Sequence, residues 1–167
     1  MKKITLLFWF CLVTSISFAQ NCGTCNVNIT TNDTLTYSAN SGQLICINSS
    51  GNFLGNITVN GGTVCVSGNF NPKSITINSG VIINNGNATL NTSVSFGSSF
   101  QLINNSGAIL NVNGNLTSSS FNVTNSGIIN VVANINNSGT ITNSNIINCV
   151  LLSGSGTIND TGIINSN

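Results

Sequence analysis

Charged side chains are almost absent from this 167-residue chain, which has 3 lysines and arginines together, 2 acidic residues and no histidine. Nucleic acids and anionic membrane surfaces are bound by clusters of Lys and Arg. We therefore expect neither of them as a partner. Polar character comes instead from Asn, Ser, Thr and Gly, while apolar residues make up 40% of the chain. That apolar share and the low net charge argue against a disordered chain.

The same scarcity bears on catalysis and on cofactors. Without His, the Ser and Thr hydroxyls lack the usual base that would activate them as nucleophiles, and metal sites lose a common ligand. Asp33 and Asp160 are the only carboxylates, and acid and base partners in glycan-cleaving enzymes lie within about ten ångströms of each other. We expect no catalytic residues, no metal or cofactor site and no enzyme activity.

Residues 1–19 have the features of a signal peptide. Lys2 and Lys3 precede the apolar run "ITLLFWFCLV", and Ser17-Phe18-Ala19 provides a small-x-small cleavage site. The run is too short to be a typical membrane-spanning helix. We expect a secreted, extracellular or cell-surface protein that is not inserted in a membrane after cleavage.

Short apolar segments that begin with Gly recur along the remaining chain. They are spaced by 20 residues from Gly42 to Gly62, 18 from Gly62 to Gly80 and 20 from Gly107 to Gly127. The interval of 27 residues from Gly80 to Gly107 is consistent with a longer turn or a bulge. The segments include "SGQLICIN", "GGTVCVSG", "SGVIINNG", "SGAILNVNG", "SGIINVVAN", "SGTITNSN", "GSGTINDTG" and "TGIINSN".

Each segment has the alternation of a strand followed by turn residues. Strands this short can bury their apolar side chains only by stacking on the next repeat. The pattern therefore predicts an all-β protein, a parallel β-helix or β-solenoid with rungs of about 20 residues over residues 41–167, preceded by an N-terminal segment or cap at 20–40. The alternative is an antiparallel β-sandwich, which would place a hairpin at Asn85-Gly86, whereas a β-helix would stack Gly62 and Gly80.

Five cysteines remain beyond the signal peptide, which contains Cys11; they are Cys22, Cys25, Cys46, Cys65 and Cys149. Because five is odd, at least one is unpaired or pairs outside this molecule. Cys46 and Cys65 have the same place in adjacent repeats, so we expect them to stack, either as a disulfide or as an unbonded pair. For Cys22 and Cys25 we expect a structural clip onto Cys46 or Cys65, in preference to redox chemistry.

Residues 36–86, above all "NGGTVCVSGNFNP", resemble the Asn/Gly-rich β-helical repeats of secreted surface proteins of Bacteroidota. The resemblance covers about a third of the chain. It implies an adhesin-like or fibre-forming protein of the cell surface. Such proteins often end in a sorting domain. This sequence departs from that pattern, because its final residues are "GIINSN".

These observations predict a structural or adhesive module whose Asn, Thr and Ser side chains offer hydrogen bonds to glycans, surface proteins or like molecules. An exposed solenoid end would provide one route of association. One alternative is binding of ice or crystalline polysaccharide by a Thr-x-Thr face, to which Thr34-Leu35-Thr36 and Thr140-Ile141-Thr142 would contribute. Another is a polysaccharide lyase or hydrolase that uses Asp33 or Asp160.

Overall fold

The computed structural model describes residues 22–118 and 120–167, and they form a parallel β-solenoid of about seven turns with about 19 residues in each turn. Every strand pairing within these two ranges is parallel. The predicted β-helix is confirmed and the antiparallel sandwich is wrong. The predicted signal peptide, with Cys11, lies outside the described residues.

The strands are short, except for two of 11 residues that continue through a corner of the solenoid. In chain order they are β1 (Val27–Ile29), β2 (Asn32–Asp33), β3 (Thr36–Asn40), β4 (Leu44–Ile47), β5 (Asn52–Phe53), β6 (Asn56–Val66), β7 (Asn69–Phe70), β8 (Ser74–Asn84), β9 (Asn87–Leu90), β10 (Val94–Phe96), β11 (Ser99–Asn104), β12 (Ile109–Val112), β13 (Leu116–Ser118), β14 (Asn122–Asn125), β15 (Ile128–Val131), β16 (Asn134–Asn136), β17 (Thr140–Asn143), β18 (Ile146–Cys149), β19 (Leu151–Ser153), β20 (Thr157–Asp160) and β21 (Ile163–Ser166).

Three sheets form the sides of the solenoid, and from β9 onward the chain visits the second, third and first sheets in the same order in each turn. The first sheet has the order β1-β4-β6-β8-β11-β14-β17-β20, and β3 also pairs with β6. The second has the order β2-β5-β7-β9-β12-β15-β18-β21, and the third the order β10-β13-β16-β19. The long strands β6 and β8 serve two sides, because their first halves, with β3, extend the line of the third sheet.

Two different corners explain the uneven glycine spacing. Gly62 and Gly80 do stack, since a Cβ on Gly80 would lie 2.3 Å from the carbonyl oxygen of Gly62. Gly80 pairs onward with Phe100, whereas Gly107 lies at the next corner, beyond Asn104. The interval of 27 residues therefore reflects a change of corner, and the expected longer turn or bulge does not explain it.

The solenoid begins before the first sequence repeat at residue 41. Val27 of β1 pairs with Ile45 of β4, and Thr36 of β3 pairs with Asn56 of β6. Residues 27–40 therefore already form a turn that stacks on the following one.

Inward side chains of successive turns form continuous apolar columns. In β6 and β8, Ile57, Val59 and Ile77 point inward and are 2%, 0% and 6% exposed. Phenylalanines take part in these columns: Phe53 of β5 and Phe70 of β7 are register partners, and their ring centroids are 5.7 Å apart in a stacked arrangement. Since each turn is too thin to enclose a core alone, this burial depends on its neighbours.

Removing one of these stacked rings should destabilise the fold. Phe53 is 0% exposed, so Phe53→Ala is expected to lower the free energy of unfolding in urea by about 3–5 kcal/mol through lost burial and the cavity left behind. Leu35→Ala is the control, because Leu35 is 63% exposed and its loss should cost no more than about 0.5 kcal/mol. Equal losses for the two variants would contradict the assignment of Phe53 to the core.

Candidate functional site

The N-terminal cysteines clip the chain onto the outer side of the first sheet. Disulfides join Cys22 to Cys65 and Cys25 to Cys46, with Cα–Cα distances of 5.9 and 5.8 Å. Cys46 and Cys65 are register partners in β4 and β6, as their places in the repeats predicted. They are not bonded to each other, so that alternative is wrong. The two disulfides are typical of an oxidising, extracellular environment.

Cys149 is a buried free thiol on the second sheet. It packs within the apolar core, and burial raises the pKa of its thiol. Because the thiolate is the reactive form of cysteine, this environment favours a packing role.

A column of buried asparagine side chains runs from turn to turn along the corner between the first and second sheets. Asn84, Asn104, Asn125 and Asn143 are register partners in successive turns, and each is at most 1% exposed. The Nδ2 of each donates to the Oδ1 of the next residue at 2.7–2.8 Å and also to a backbone carbonyl at the corner. These bonds replace the hydrogen bonds to water that each amide loses when it is buried.

The buried asparagine column has one direction and ends on a carboxylate. Asn143 Nδ2 donates to Asp160 Oδ1 at 2.8 Å, and the backbone N–H of Gly162 donates to the same oxygen at 3.0 Å. A carboxylate can only accept in such a chain of bonds. Asp160 is therefore held by hydrogen bonds at the last turn.

Truncation inside the buried column should cost more than truncation of a similar ladder outside. Asn104→Ala removes bonds to Asn84 and Asn125, so we expect the free energy of unfolding in urea to fall by about 1–3 kcal/mol. Asn111→Ala, in the same turn, removes the bond that Asn130 donates on the outer side of the second sheet. This control should change stability by about 0.5 kcal/mol at most. A larger effect for Asn111 than for Asn104 would contradict the buried column.

The outer side of the third sheet, extended by β3 and the first halves of β6 and β8, carries two parallel columns of side chains that are uncharged and, apart from Leu151, polar. We name this side the polar face. Register pairs and inter-turn hydrogen bonds define both columns, and Gly97 against the backbone of Asn78 places β10 on β8. The first column is Thr36, Asn56, Ser74, Ser93, Asn115, Asn134 and Leu151, and the second is Ser38, Thr58, Thr76, Ser95, Thr117, Asn136 and Ser153.

Hydrogen bonds between turns fix the first column of the polar face. Asn56 Nδ2 donates to Thr36 Oγ1 at 3.2 Å, and the Ser74 hydroxyl donates to Asn56 Oδ1 at 2.9 Å. In the second column Thr76 and Ser95 are exposed, so their hydroxyls meet solvent. The polar face thus combines a hydrogen-bonded column with one whose hydroxyls are open to solvent.

The outer side of the second sheet differs in its last four turns, because one of its two outward columns changes there from asparagine to isoleucine. There Asn130 Nδ2 donates to Asn111 Oδ1 at 2.9 Å and Asn148 Nδ2 donates to Asn130 Oδ1 at 2.8 Å. Next to this ladder runs a column of isoleucines that includes Ile128 and Ile146. The polar face is therefore the more uniformly polar of these two sides.

The two Thr-x-Thr motifs singled out in the sequence do not share a surface. Thr140 and Thr142 lie on the outer side of the first sheet in β17, while Thr36 belongs to the polar face and Leu35 is exposed beside it. Sequence inspection missed the polar face, although polar residues alternate with apolar ones in "TYSAN", "NITVN" and "SITIN".

The two carboxylates lie in different parts of the solenoid, Asp33 in the first turn and Asp160 in the last. Asp33 accepts hydrogen bonds from the backbone N–H of Leu35 and from the Tyr37 hydroxyl, both at 2.8 Å. The hydrogen bond to Asp33 raises the pKa of Tyr37, and burial and the carboxylate charge act in the same direction. Each carboxylate therefore has a structural partner.

A cavity of about 300 Å³ lies beside the disulfide clip, lined by Cys22, Gly42, Gln43, Leu44, Gly62 and Ile83 among others. Its ionisable lining residues, Cys22 and Cys65, are disulfide-bonded. Within residues 22–118 and 120–167, no cluster of three or more His, Cys, Asp or Glu side chains could hold a metal. None of these residues forms a helix that is long and apolar enough to span a membrane.

Comparison with protein-family models, curated proteins and solved structures finds no significant match to this chain. Its function must therefore be argued from the geometry of the solenoid and from the chemistry of its sides.

Proposed function

We propose that this protein is a secreted structural or adhesive module that holds surfaces together through many uncharged contacts, and that it has no catalytic activity. The polar face is the observation that carries the proposal. It presents hydroxyl and amide groups at regular intervals along a rigid solenoid, with partners on adjacent strands in register. Regular repetition allows many weak contacts to act together.

The covalent and compositional features support an extracellular site of action. Two disulfides close the N-terminal segment onto the solenoid, and such bonds persist outside the cytosol. The signal-like residues 1–19 and the resemblance to Bacteroidota surface proteins point the same way, towards an adhesin-like protein at the cell surface. Contact between like molecules at the last turn, where Ile158 and Ile163 are 42% and 56% exposed, belongs to the same proposal.

Absence of catalysis is proposed from the placement of the acidic groups. Asp33 and Asp160 lie in the first and last turns, whereas a general acid and its partner carboxylate need to flank one bond. Both carboxylates accept hydrogen bonds from neighbouring groups of the fold. These contacts favour structural roles for them.

Adhesion under flow tests the proposal. Beads coated with the purified, disulfide-bonded protein should be retained on surfaces coated with a neutral polysaccharide or a glycoprotein, and albumin-coated beads provide the control. Because the described residues include only Asp33, Lys73 and Asp160 as charged side chains, retention should change by less than about twofold between about 0.15 M and about 1 M NaCl. No retention above the albumin control on any surface, or loss of retention at high salt, would contradict the proposal.

A further inference from the structure

We infer that the polar face is a binding site for an extended, uncharged polysaccharide chain. This inference rests on the proposed adhesive function and specifies its ligand and its surface. It concerns the outward side of β3, the first halves of β6 and β8, and β10, β13, β16 and β19.

The first step is the spacing of the hydrogen-bonding groups. Adjacent turns are about 4.8 Å apart, and outward residues two positions apart on one strand are about 6.6 Å apart. Thr36 and Ser38, Asn56 and Thr58, and Ser74 and Thr76 occupy such positions in three stacked turns. The polar face is therefore a grid of donors and acceptors long enough to contact several units of a polymer.

The second step is charge. Every member of the two columns is Ser, Thr or Asn except Leu151. Lys73, which precedes Ser74, is the only cation in the described residues. A neutral polyhydroxylated ligand complements such a surface, because its hydroxyl groups can donate and accept without an unpaired charge being desolvated.

The third step is preorganisation. The bonds from Asn56 to Thr36 and from Ser74 to Asn56 hold the first column in place. Farther along the solenoid, the backbone N–H of Asn115 donates to Ser93 Oγ at 3.0 Å, and that of Asn134 donates to Asn115 Oδ1 at 3.1 Å. Groups that are already ordered lose less entropy when a ligand binds.

The composition of the polar face favours a flexible polymer over an ice lattice. The first column changes from Thr36 to Asn56 to Ser74 and ends in Leu151, which is 49% exposed. A rigid crystal presents the same pattern at every repeat and needs an equally regular protein surface. A polysaccharide chain can adjust its torsions and its hydroxyl groups from one turn to the next.

The polar face also lacks aromatic side chains, which would give strong contacts with single sugars. Each sugar unit should therefore bind weakly, and affinity should arise from many units on one chain. Long soluble neutral polysaccharides should compete with an insoluble polysaccharide for the protein. A disaccharide of the same sugar should not compete at equal mass concentration.

The other two sides are less suitable for such a ligand. On the outer side of the first sheet the disulfide clip covers Cys46 and Cys65. The same column continues with Ile83 and Ile103, so both columns of this side are polar only in its last three turns, from Thr124 onward. On the outer side of the second sheet isoleucines replace asparagines in one column over the last four turns. The polar face is free of both features.

The test compares matched threonine pairs on two sides of the solenoid. Thr58 and Thr76 are stacked partners on the polar face, and Thr124 and Thr142 are stacked partners on the outer side of the first sheet. The double variant Thr58→Glu/Thr76→Glu should bind amorphous cellulose at least about tenfold more weakly than the unmodified protein, because its carboxylates would be desolvated against neutral sugars. The control Thr124→Glu/Thr142→Glu should bind within about twofold of the unmodified protein.

The folding of both variants is checked by circular dichroism and thermal unfolding, and the single variants Thr76→Glu and Thr142→Glu serve if a double variant fails to fold.

Equal binding by the two variants would overturn the inference and leave the adhesive function intact. Thermal hysteresis without polysaccharide binding would also overturn it and indicate an ice surface. Loss of binding in Lys73→Gln would point to an anionic ligand and overturn it as well. Beads that adhere only to proteins would contradict the polysaccharide assignment, whereas no adhesion to any surface would remove the proposed function itself.

Discussion

The whole structure depends on the hydrogen bonding and side-chain stacking of each turn on the next. No turn of about 19 residues can enclose a core by itself, so backbone pairing and apolar burial arise together when turns superpose. The dependence is visible at the last turn. Ile158 continues the inward column of Ile141, yet it is 42% exposed while Ile141 is 1% exposed. Among the described residues, Ile158 has a neighbouring turn on one side only.

Stacking also explains how a chain with almost no charge keeps its turns in register. A slip of one residue would move every inward side chain outward, and it would break the buried column in which Asn104 bonds to Asn84 and Asn125. The asparagine ladders on the outer side of the second sheet add bonds of the same kind. Side-chain amides thus provide specificity that other proteins obtain from ion pairs.

Much of this architecture could be predicted from local patterns. Alternation of polar and apolar residues, together with recurring Gly, identified the parallel solenoid, the stacking of Gly62 on Gly80 and the stacking of Cys46 on Cys65. The pairing of four cysteines was less accessible, because both N-terminal thiols can reach either partner when those partners are adjacent. The disulfides are nested, with Cys22 bonded to the later turn and Cys25 to the earlier one.

The residues that make up the polar face and the buried asparagine column could not be identified from the sequence, and for one physical reason. Their members are 17 to 22 residues apart, and the interval changes whenever a corner gains or loses a residue. A glycine can lie at either corner, so alignment on Gly80 and Gly107 joins positions that are not stacked. Small errors of this kind displace a residue from one side of the solenoid to another, although they leave the fold class unchanged.

In-register stacking is tested most directly by nuclear magnetic resonance of the side-chain amides in the buried column. The account predicts nuclear Overhauser contacts between the side-chain amide protons of Asn104 and Asn125, because Asn104 Nδ2 donates to Asn125 Oδ1 at 2.8 Å. It also predicts slow exchange of these protons with solvent. Rapid exchange without such contacts, in a protein that is otherwise folded, would contradict it.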